Sequence, residues 1–197
     1  MVKNVLLDVD GVIWHGGKLI EGTKQTIAFL EKNNYNYLFL TNISRYTAKE
    51  LTVRLKKLGL TVPVEKILSP LEITIQFIKN KKKNASCFVI SEPAIKEQFK
   101  EAGLKIVEND SKADFVIVFL YEKTNYDMLD TAFRLLSKGA ELVSNSDLKS
   151  IAFRDNFPSI ATGAFVKDLE YSSGKKATLT GKPNTEFFLQ AIKKLGA

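Results

Sequence analysis

Cysteine and histidine are almost absent from this sequence, which contains one of each, Cys87 and His15. A single cysteine excludes a disulfide within the chain, and one cysteine with one histidine cannot build a zinc site from nitrogen and sulfur ligands. Long apolar runs are also lacking, since none approaches the roughly 18 residues that a membrane-spanning helix needs. The N-terminal segment reaches an acid, Asp8, too early for the apolar region of a signal peptide. We therefore expect a cytoplasmic protein without a membrane partner.

Acidic residues are outnumbered in this chain of 197 residues, because 29 Lys and Arg against 22 Asp and Glu give a net charge of +7. The hydrophobic content of 45% is that of a globular protein and excludes a disordered or fibrous chain. Much of the basic excess comes from Lys79 and the three lysines at 81–83, with no aromatic residues interleaved. This pattern favours an exposed helix end, where lysines complement the helix dipole. We predict no nucleic-acid partner, and the positive field would favour a small anionic substrate.

The first part of the chain alternates between strand-like and helix-like patterns. Strands are predicted at residues 5–7, 35–40 and 64–68, and helices at 23–33 and 47–58. The apolar residues of the first strand are consecutive, which is typical of a strand buried on both faces of a parallel sheet. The order β-α-β-α-β predicts an α/β protein with a doubly wound parallel sheet.

A second series of alternating patterns begins near residue 85. Strands are predicted at 86–90, 115–120 and 141–144, and helices at 93–102 and 125–137. Residues 145–175 are rich in Ser, Gly, Asn and Asp, and residues 172–174 are interpreted as a linker. A short extended segment at 177–180 and a helix at 185–195 complete the prediction.

Two acids, Asp8 and Asp10, follow the first strand directly. Alternation along the strand places them on the same side, where two carboxylates repel each other unless a cation or a shared proton lies between them. Because ligands bind beyond the carboxyl ends of the strands in open α/β sheets, this pair indicates a Mg²⁺-assisted site. The alternative is a pair of solvated acids that cap the next turn.

Two further segments are expected at the same edge of the sheet. Thr41 and Asn42 follow the second strand, and their polar groups with free backbone N–H groups can hold phosphoryl oxygens. The alternative is an ordinary turn, because these residue types also cap helices. Lys182 lies between Gly181 and Pro183, where a shaped loop would present its ammonium group to a phosphate. The alternative is the ordinary start of a helix, with proline in its first turn.

The order of acid pair, hydroxyl motif and distant lysine resembles the haloacid dehalogenase-like (HAD) phosphohydrolases. Residues 12–17 and 21–22 are similar to subclass IIA, the p-nitrophenyl phosphatase and NagD-like proteins. The resemblance implies a HAD-like core at 1–75 and 176–197, with an α/β cap inserted at 76–175. It also implies a Mg²⁺-dependent phosphatase of small organic phosphomonoesters. The separate cap offers a surface for a homodimer.

The resemblance also implies roles for individual residues. Asp8 would be the nucleophile that forms an aspartyl-phosphate, and Asp10 the general acid and base. The Asp8 carboxylate and the Asp10 backbone carbonyl would ligate Mg²⁺. Thr41, Asn42 and Lys182 would bind the phosphoryl group, and Lys182 would neutralise its charge.

The sequence departs from the family at one motif. The family has a Gly-Asp pair, followed shortly by another Asp, on a strand after the lysine-motif helix, but this chain contains no Gly-Asp pair and ends at Ala197. We expect a truncated chain, or one completed by a partner, with its first strand left at the sheet edge. If the chain ends here, we expect weak Mg²⁺ binding and little or no turnover. Two alternatives stay open: a catalytically silent phosphate-binding or regulatory module of the same fold, and a phosphoacceptor receiver domain. The inserted series argues against the receiver domain.

Overall fold

The computed structural model describes residues 3–154 and 157–196. Its strands are β1 (Asn4–Asp8), β2 (Trp14–His15), β3 (Lys18–Leu19), β4 (Asn36–Leu40), β5 (Ile67–Leu68), β6 (Ser86–Ile90), β7 (Lys105–Ile106), β8 (Phe115–Val118), β9 (Glu141–Ser144), β10 (Ser150–Arg154), β11 (Phe157–Ile160) and β12 (Thr178–Leu179). Its helices are α1 (Thr23–Lys32), α2 (Ala48–Lys57), α3 (Pro70–Lys81), α4 (Pro93–Glu101), α5 (Tyr126–Ser137), α6 (Thr162–Ser173) and α7 (Thr185–Leu195). Among the helices so described, none combines the length and apolar character that crossing a membrane requires.

The first sheet is parallel, with β4 between β1 and β5. Helices α1 and α2 cover one face, where Ile27 and Leu51 join the core cluster of that face. Helices α3 and α7 cover the other face through Ile73 and Phe187. Helices on both faces of a parallel sheet confirm the doubly wound α/β architecture predicted from the sequence.

Strand β1 lies at the edge of this sheet, where the sequence analysis expects it, and its neighbour among the described residues is β4. Leu6 in the middle of β1 is 37% exposed. On α7, Phe188 and Ile192 are also exposed. The first sheet and its helices therefore leave apolar surface uncovered in the described part of the chain.

The second sheet is also parallel, with the strand order β12-β9-β8-β6-β7. Helices α3 and α4 bury Ile78 and Phe99 against one face. Helices α5 and α6 bury Leu135 and Leu169 against the other. Because α3 contributes Ile73 to the first sheet and Ile78 to the second, this helix packs against both sheets.

The chain returns from the second sheet to the first between β12 and α7. Strand β12 pairs with β9, with Thr178 opposite Val143 and Leu179 opposite Ser144. The next helix, α7, buries Phe187 on the first sheet. The division into a core at 1–75 and 176–197 and a cap at 76–175 stays a prediction, and β12 belongs to the second sheet by its hydrogen bonds.

Some local predictions were wrong. Residues 64–68 were expected to form one strand, but Val64–Lys66 form a 3-10 turn after Pro63, and only β5 is extended. Residues 172–174 were interpreted as a linker, but Ser172 and Ser173 end α6. Their hydroxyls donate to the Leu169 carbonyl, which accommodates serine in a last helical turn. Gly174 then ends the helix in the left-handed conformation.

The antiparallel pairs β2–β3 and β10–β11 were not predicted. Strands β2 and β3 have two residues each, too few for alternation of apolar and polar residues to reveal them.

Candidate active site

The carboxyl ends of β1 and β4 meet at one edge of the first sheet. The pairing register places Asp8, the last residue of β1, opposite Leu40, the last residue of β4. Asp10 therefore follows β1 at the same edge at which Thr41 and Asn42 follow β4. The parallel register is what brings these two sequence motifs together, as the sequence analysis expects.

Lys182 reaches this edge from a distant part of the chain. Its Nζ donates to Oδ1 of Asp8 at 2.6 Å and to the Leu40 carbonyl at 3.3 Å. The side chain of Lys182 is 18% exposed and that of Asp8 46% exposed. The Asp8 Oδ1 also accepts the backbone N–H of Val9 at 2.7 Å. These donors stabilise the Asp8 carboxylate and fix its orientation.

Residues 181–183 form the loop that carries Lys182, called here the lysine loop. Asn42 holds this loop through two hydrogen bonds in opposite directions. Its Nδ2 donates to the Lys182 carbonyl at 2.9 Å, and its Oδ1 accepts the Lys182 backbone N–H at 2.8 Å. The loop is therefore fixed to the end of β4. Pro183 lies outside α7, which begins after an N-cap at Asn184. The alternative that Pro183 occupies the first turn of this helix is wrong.

Thr41 is 1% exposed, and its Oγ1 accepts the backbone N–H of Ile43 at 2.9 Å. Thr41 thus forms the ordinary turn that was the alternative to phosphoryl binding. The N-cap of α2 is a different residue, Thr47, which forms a capping box with Glu50. Thr41 therefore shapes the turn that carries Asn42.

The Asp10 carboxyl accepts a hydrogen bond at Oδ1 from the indole Nε1 of Trp14 at 2.7 Å. Although Asp10 retains exposed surface, desolvation by the surrounding protein is the largest effect on its pKa, which is raised. The Trp14 hydrogen bond lowers this pKa, the Asp8 charge raises it, and the charges of Lys182 and Arg45 lower it. Asp8 and Asp10 thus differ in their surroundings, since Asp8 is paired with an ammonium group, whereas desolvation raises the pKa of Asp10 above its ordinary value.

The chain returns on itself between Asp10 and Trp14. The N–H of Gly11 donates to the Trp14 carbonyl at 2.8 Å, and Gly11 has φ of 77°. A positive φ of this size favours glycine because it has no Cβ. This turn brings the Trp14 indole back to the Asp10 carboxyl.

Three residues at this edge were not assigned a role by the sequence analysis. Trp14 donates a hydrogen bond to Asp10. The charge of Arg45 lowers the Asp10 pKa, and Arg45 Nη1 forms an ion pair with Glu122 at 2.8 Å. Asn145 donates to the Asn42 carbonyl at 3.1 Å. The spacing of Trp14 four residues after Asp10 was a usable signal. Arg45 and Asn145 depend on how the two sheets meet, which one sequence does not reveal.

The acid pair is of a kind that suits magnesium. Mg²⁺ prefers oxygen ligands and is usually bound by only one or two carboxylates, with waters and substrate phosphate completing its octahedron. The Asp8 carboxylate and the Asp10 backbone carbonyl could supply two such oxygens, and the hydrogen bonds described above engage Oδ1 of Asp8. Within residues 3–154 and 157–196, no three His, Cys, Asp or Glu side chains gather into a group that could hold a metal. The donor set therefore fits Mg²⁺ at the lower limit of protein ligands.

A carboxylate paired with a lysine at the carboxyl edge of a doubly wound sheet is suited to an α/β enzyme that acts on anionic substrates. Comparison with known proteins identifies the family within this class. Residues 5–105 match the sequence model of the haloacid dehalogenase-like hydrolases. This match covers half of the sequence, and the chain belongs to that family.

Individual relatives agree with this assignment. The acid sugar phosphatase of Staphylococcus epidermidis is 29% identical over 192 residues, which make up 97% of this chain and 73% of that protein. The solved p-nitrophenyl phosphatase from Archaeoglobus fulgidus is 27% identical with a TM-score of 0.90, over 98% of this chain and 74% of that one. NagD from E. coli K-12 is 27% identical with a TM-score of 0.88, over 100% of this chain and 76% of that one. The resemblance to the p-nitrophenyl phosphatase and NagD-like proteins is thus confirmed, together with the predicted fold.

Proposed function

We propose that this protein is a Mg²⁺-dependent phosphatase that hydrolyses small phosphomonoesters, sugar phosphates among them, through an aspartyl-phosphate on Asp8. The observation that carries the proposal is the contact between Lys182 and Asp8, with Asn42 bonded to both sides of the lysine peptide. An anionic nucleophile and a cation that balances it therefore share one edge of the sheet. The acid sugar phosphatase among the relatives supports the substrate class.

In the first half of the reaction, a carboxylate oxygen of Asp8 attacks phosphorus. The bond between phosphorus and the leaving oxygen breaks, and the Asp10 carboxyl gives its proton to that oxygen. The raised pKa of Asp10 supports this role, because it favours the protonated form that a general acid needs. The Asp8 carboxylate is held ready by the Val9 N–H and by Lys182.

In the second half, Asp10 is a carboxylate and takes a proton from water. The oxygen of this water attacks phosphorus, and the bond between phosphorus and the Asp8 oxygen breaks. Inorganic phosphate leaves, Asp8 is again a carboxylate, and Asp10 is again protonated. Lys182 stabilises the charge that develops on the phosphoryl oxygens in both halves.

Magnesium bound at Asp8 and Asp10 would act as a Lewis acid and neutralise phosphoryl charge. With the Asp8 carboxylate and the Asp10 backbone carbonyl as its ligands among the described residues, we expect weak binding of the ion. The Asn42 side chain orients the lysine loop whether or not the ion is bound, because its hydrogen bonds are to the Lys182 backbone.

The second sheet is the part of the molecule that we expect to contact the leaving group. Glu122 follows β8 and pairs with Arg45, and the Leu120 N–H donates to the Ser44 hydroxyl at 3.2 Å. Both contacts lie in loops beyond the carboxyl ends of β4 and β8. We expect the second sheet to border the site at these contacts, where it would exclude water and select among alcohols. A cytoplasmic location and a homodimer stay predictions.

The test is Mg²⁺-dependent release of phosphate from p-nitrophenyl phosphate and from a set of sugar phosphates, with EDTA as the metal-free control. Asp8→Asn should abolish turnover, whereas Asp168→Asn, at an exposed carboxylate on α6, should leave it unchanged. Turnover by the Asp8→Asn variant would show that Asp8 is not the nucleophile. Binding of inorganic phosphate by a wild-type chain that never turns over would favour the phosphate-binding module instead.

A further inference from the structure

Asn145 is the first residue after β9 of the second sheet, and it reaches the end of β4 in the first sheet. It is 1% exposed, and its Nδ2 donates to the backbone carbonyl of Asn42 at 3.1 Å. Its own backbone carbonyl packs against Gly181, so closely that a Cβ at Gly181 would lie 2.1 Å from that oxygen. Asn145 therefore contacts both loops from which the proposed phosphoryl site is built.

The other end of the same carboxamide is unsatisfied. Oδ1 of Asn145 is buried and has no hydrogen-bond partner within the described chain. Leaving a buried acceptor without a donor is unfavourable, and an apolar side chain of similar size would avoid this penalty. Such a side chain would, however, leave the Asn42 carbonyl without its donor, so the contribution of asparagine here lies in the hydrogen bond to Asn42. The amide orientation is also determined, because turning it over would bring Oδ1 against the Asn42 carbonyl and place two acceptors together.

From Asn42, hydrogen bonds continue to the nucleophile. Asn42 binds the Lys182 backbone on both sides, and the Lys182 ammonium group binds Asp8. Asn145 itself is bonded to Asn42 rather than to either charged group. We propose that Asn145 is a positioning residue, which fixes the backbone of Asn42 and thereby places Lys182 against Asp8. The effect of Asn145 on catalysis rests on the function proposed above.

The proposal predicts a particular kinetic pattern. Loss of the Asn145 donor should lower kcat/KM about 10- to 100-fold, because small displacements of a reacting group are costly. The loss should be similar for esters with different alcohols, since the affected contacts are those of the phosphoryl group. A residue that recognised the leaving group would instead change the ranking of the substrates. Asn145→Ala removes the whole carboxamide, and Asn145→Asp keeps its shape but removes the donor.

Thr74→Val is the matched control for general weakening of the junction between the sheets. Thr74 is fully buried, and its Oγ1 lies 2.6 Å from Oγ1 of Thr180 and donates to the Pro70 carbonyl at 2.7 Å. The substitution removes buried hydrogen bonds with little change of shape and leaves Asn42 untouched. We expect Thr74→Val to lower Tm like the Asn145 variants, but to leave kcat/KM within about twofold of the wild type, as for residues outside the network.

A second readout is independent of turnover. The Lys182 N–H donates to Asn42, so its hydrogen exchange reports whether the lysine loop is held. Faster exchange of this amide in Asn145→Ala and Asn145→Asp, but not in Thr74→Val, supports the proposal. Unchanged exchange together with unchanged kcat/KM, or an equal effect in Thr74→Val, overturns it. If the wild type hydrolyses no ester, the proposed function fails, while the exchange comparison still decides whether Asn145 positions the loop.

Discussion

The Nζ of Lys182 lies 2.6 Å from Oδ1 of Asp8, although 174 positions separate the two residues in the chain. No local interaction can produce this contact. It arises because the chain passes through the whole second sheet and returns along β12 before Lys182 reaches the end of β1. The contact therefore depends on the path of the chain through both sheets, and it also brings together two residues of the proposed site.

Replacing Lys182 by methionine removes its charge and keeps its approximate length. We expect kcat/KM for p-nitrophenyl phosphate to fall about 100- to 1000-fold, because a single preorganised donor to developing negative charge is worth that much. Steady-state kinetics at saturating Mg²⁺ measures the effect. Lys193→Met, at an exposed lysine on α7, is the control and should retain wild-type activity. Near-normal turnover in Lys182→Met would show that Lys182 takes no part in the reaction.

Much of this site could be predicted from sequence because parallel strands end at one edge. Asp8 ends β1 and Asn42 follows the apolar strand β4, and the register of β1 with β4 places them together without further information. Lys182 was predicted with them, but through resemblance to a family rather than from its own surroundings, since a lysine between glycine and proline is weak evidence.

The rest depends on how the two sheets meet. Asn145 follows β9 and touches Asn42 only because β9 and β4 end at the same junction. Arg45 and Glu122 form an ion pair across a separation of 77 positions. Propensity and periodicity describe single elements, so they carry no information on contacts between elements of different sheets.

Replacing Trp14 by phenylalanine removes the hydrogen bond to Asp10 and keeps an aromatic side chain. This hydrogen bond lowers the Asp10 pKa, so its loss should raise a pKa that is already above the ordinary value. A general acid is active while protonated, and the alkaline limb of the kcat/KM profile should therefore move to higher pH. Tyr46→Phe serves as the comparison, because it removes a hydroxyl from the ring that lies 5.3 Å from the Arg45 guanidinium and leaves Trp14 in place. An alkaline limb that stays in place in Trp14→Phe would show that Asp10 is not the acid.

Replacing Gly181 by alanine should disrupt the junction between the loops. The added Cβ would lie 2.1 Å from the Asn145 carbonyl oxygen and 2.7 Å from Oδ1 of Asn42. Backbone must move to relieve the first contact, so we expect a loss of about 1–3 kcal/mol in the free energy of unfolding, with loss of activity. Urea unfolding and kinetics measure the two effects. Gly103→Ala is an informative comparison, because nothing lies within 4 Å of a Cβ there and only the φ of +84° opposes it. Equal activity losses in the two variants would contradict a specific role for the space at Gly181.

Asp114 stabilises the second sheet by an ionised carboxylate, and its contribution should depend on pH. Desolvation raises the pKa of Asp114, but hydrogen bonds from Lys82 and Ser86 outweigh it, so the pKa lies below the ordinary value. The donors are Lys82 Nζ at 2.7 Å and the Ser86 N–H at 2.8 Å. A carboxyl whose pKa is lower in the folded state stabilises that state above its unfolded pKa, and this contribution disappears as pH falls through the folded pKa. Asp114→Asn should therefore cost about 1–2 kcal/mol at pH near 7, and less as the pH is lowered below about 4. Urea unfolding at both pH values measures the difference, with Asp168→Asn as the control at an exposed site. A cost that is the same at both pH values would show that the charge of Asp114 does not contribute.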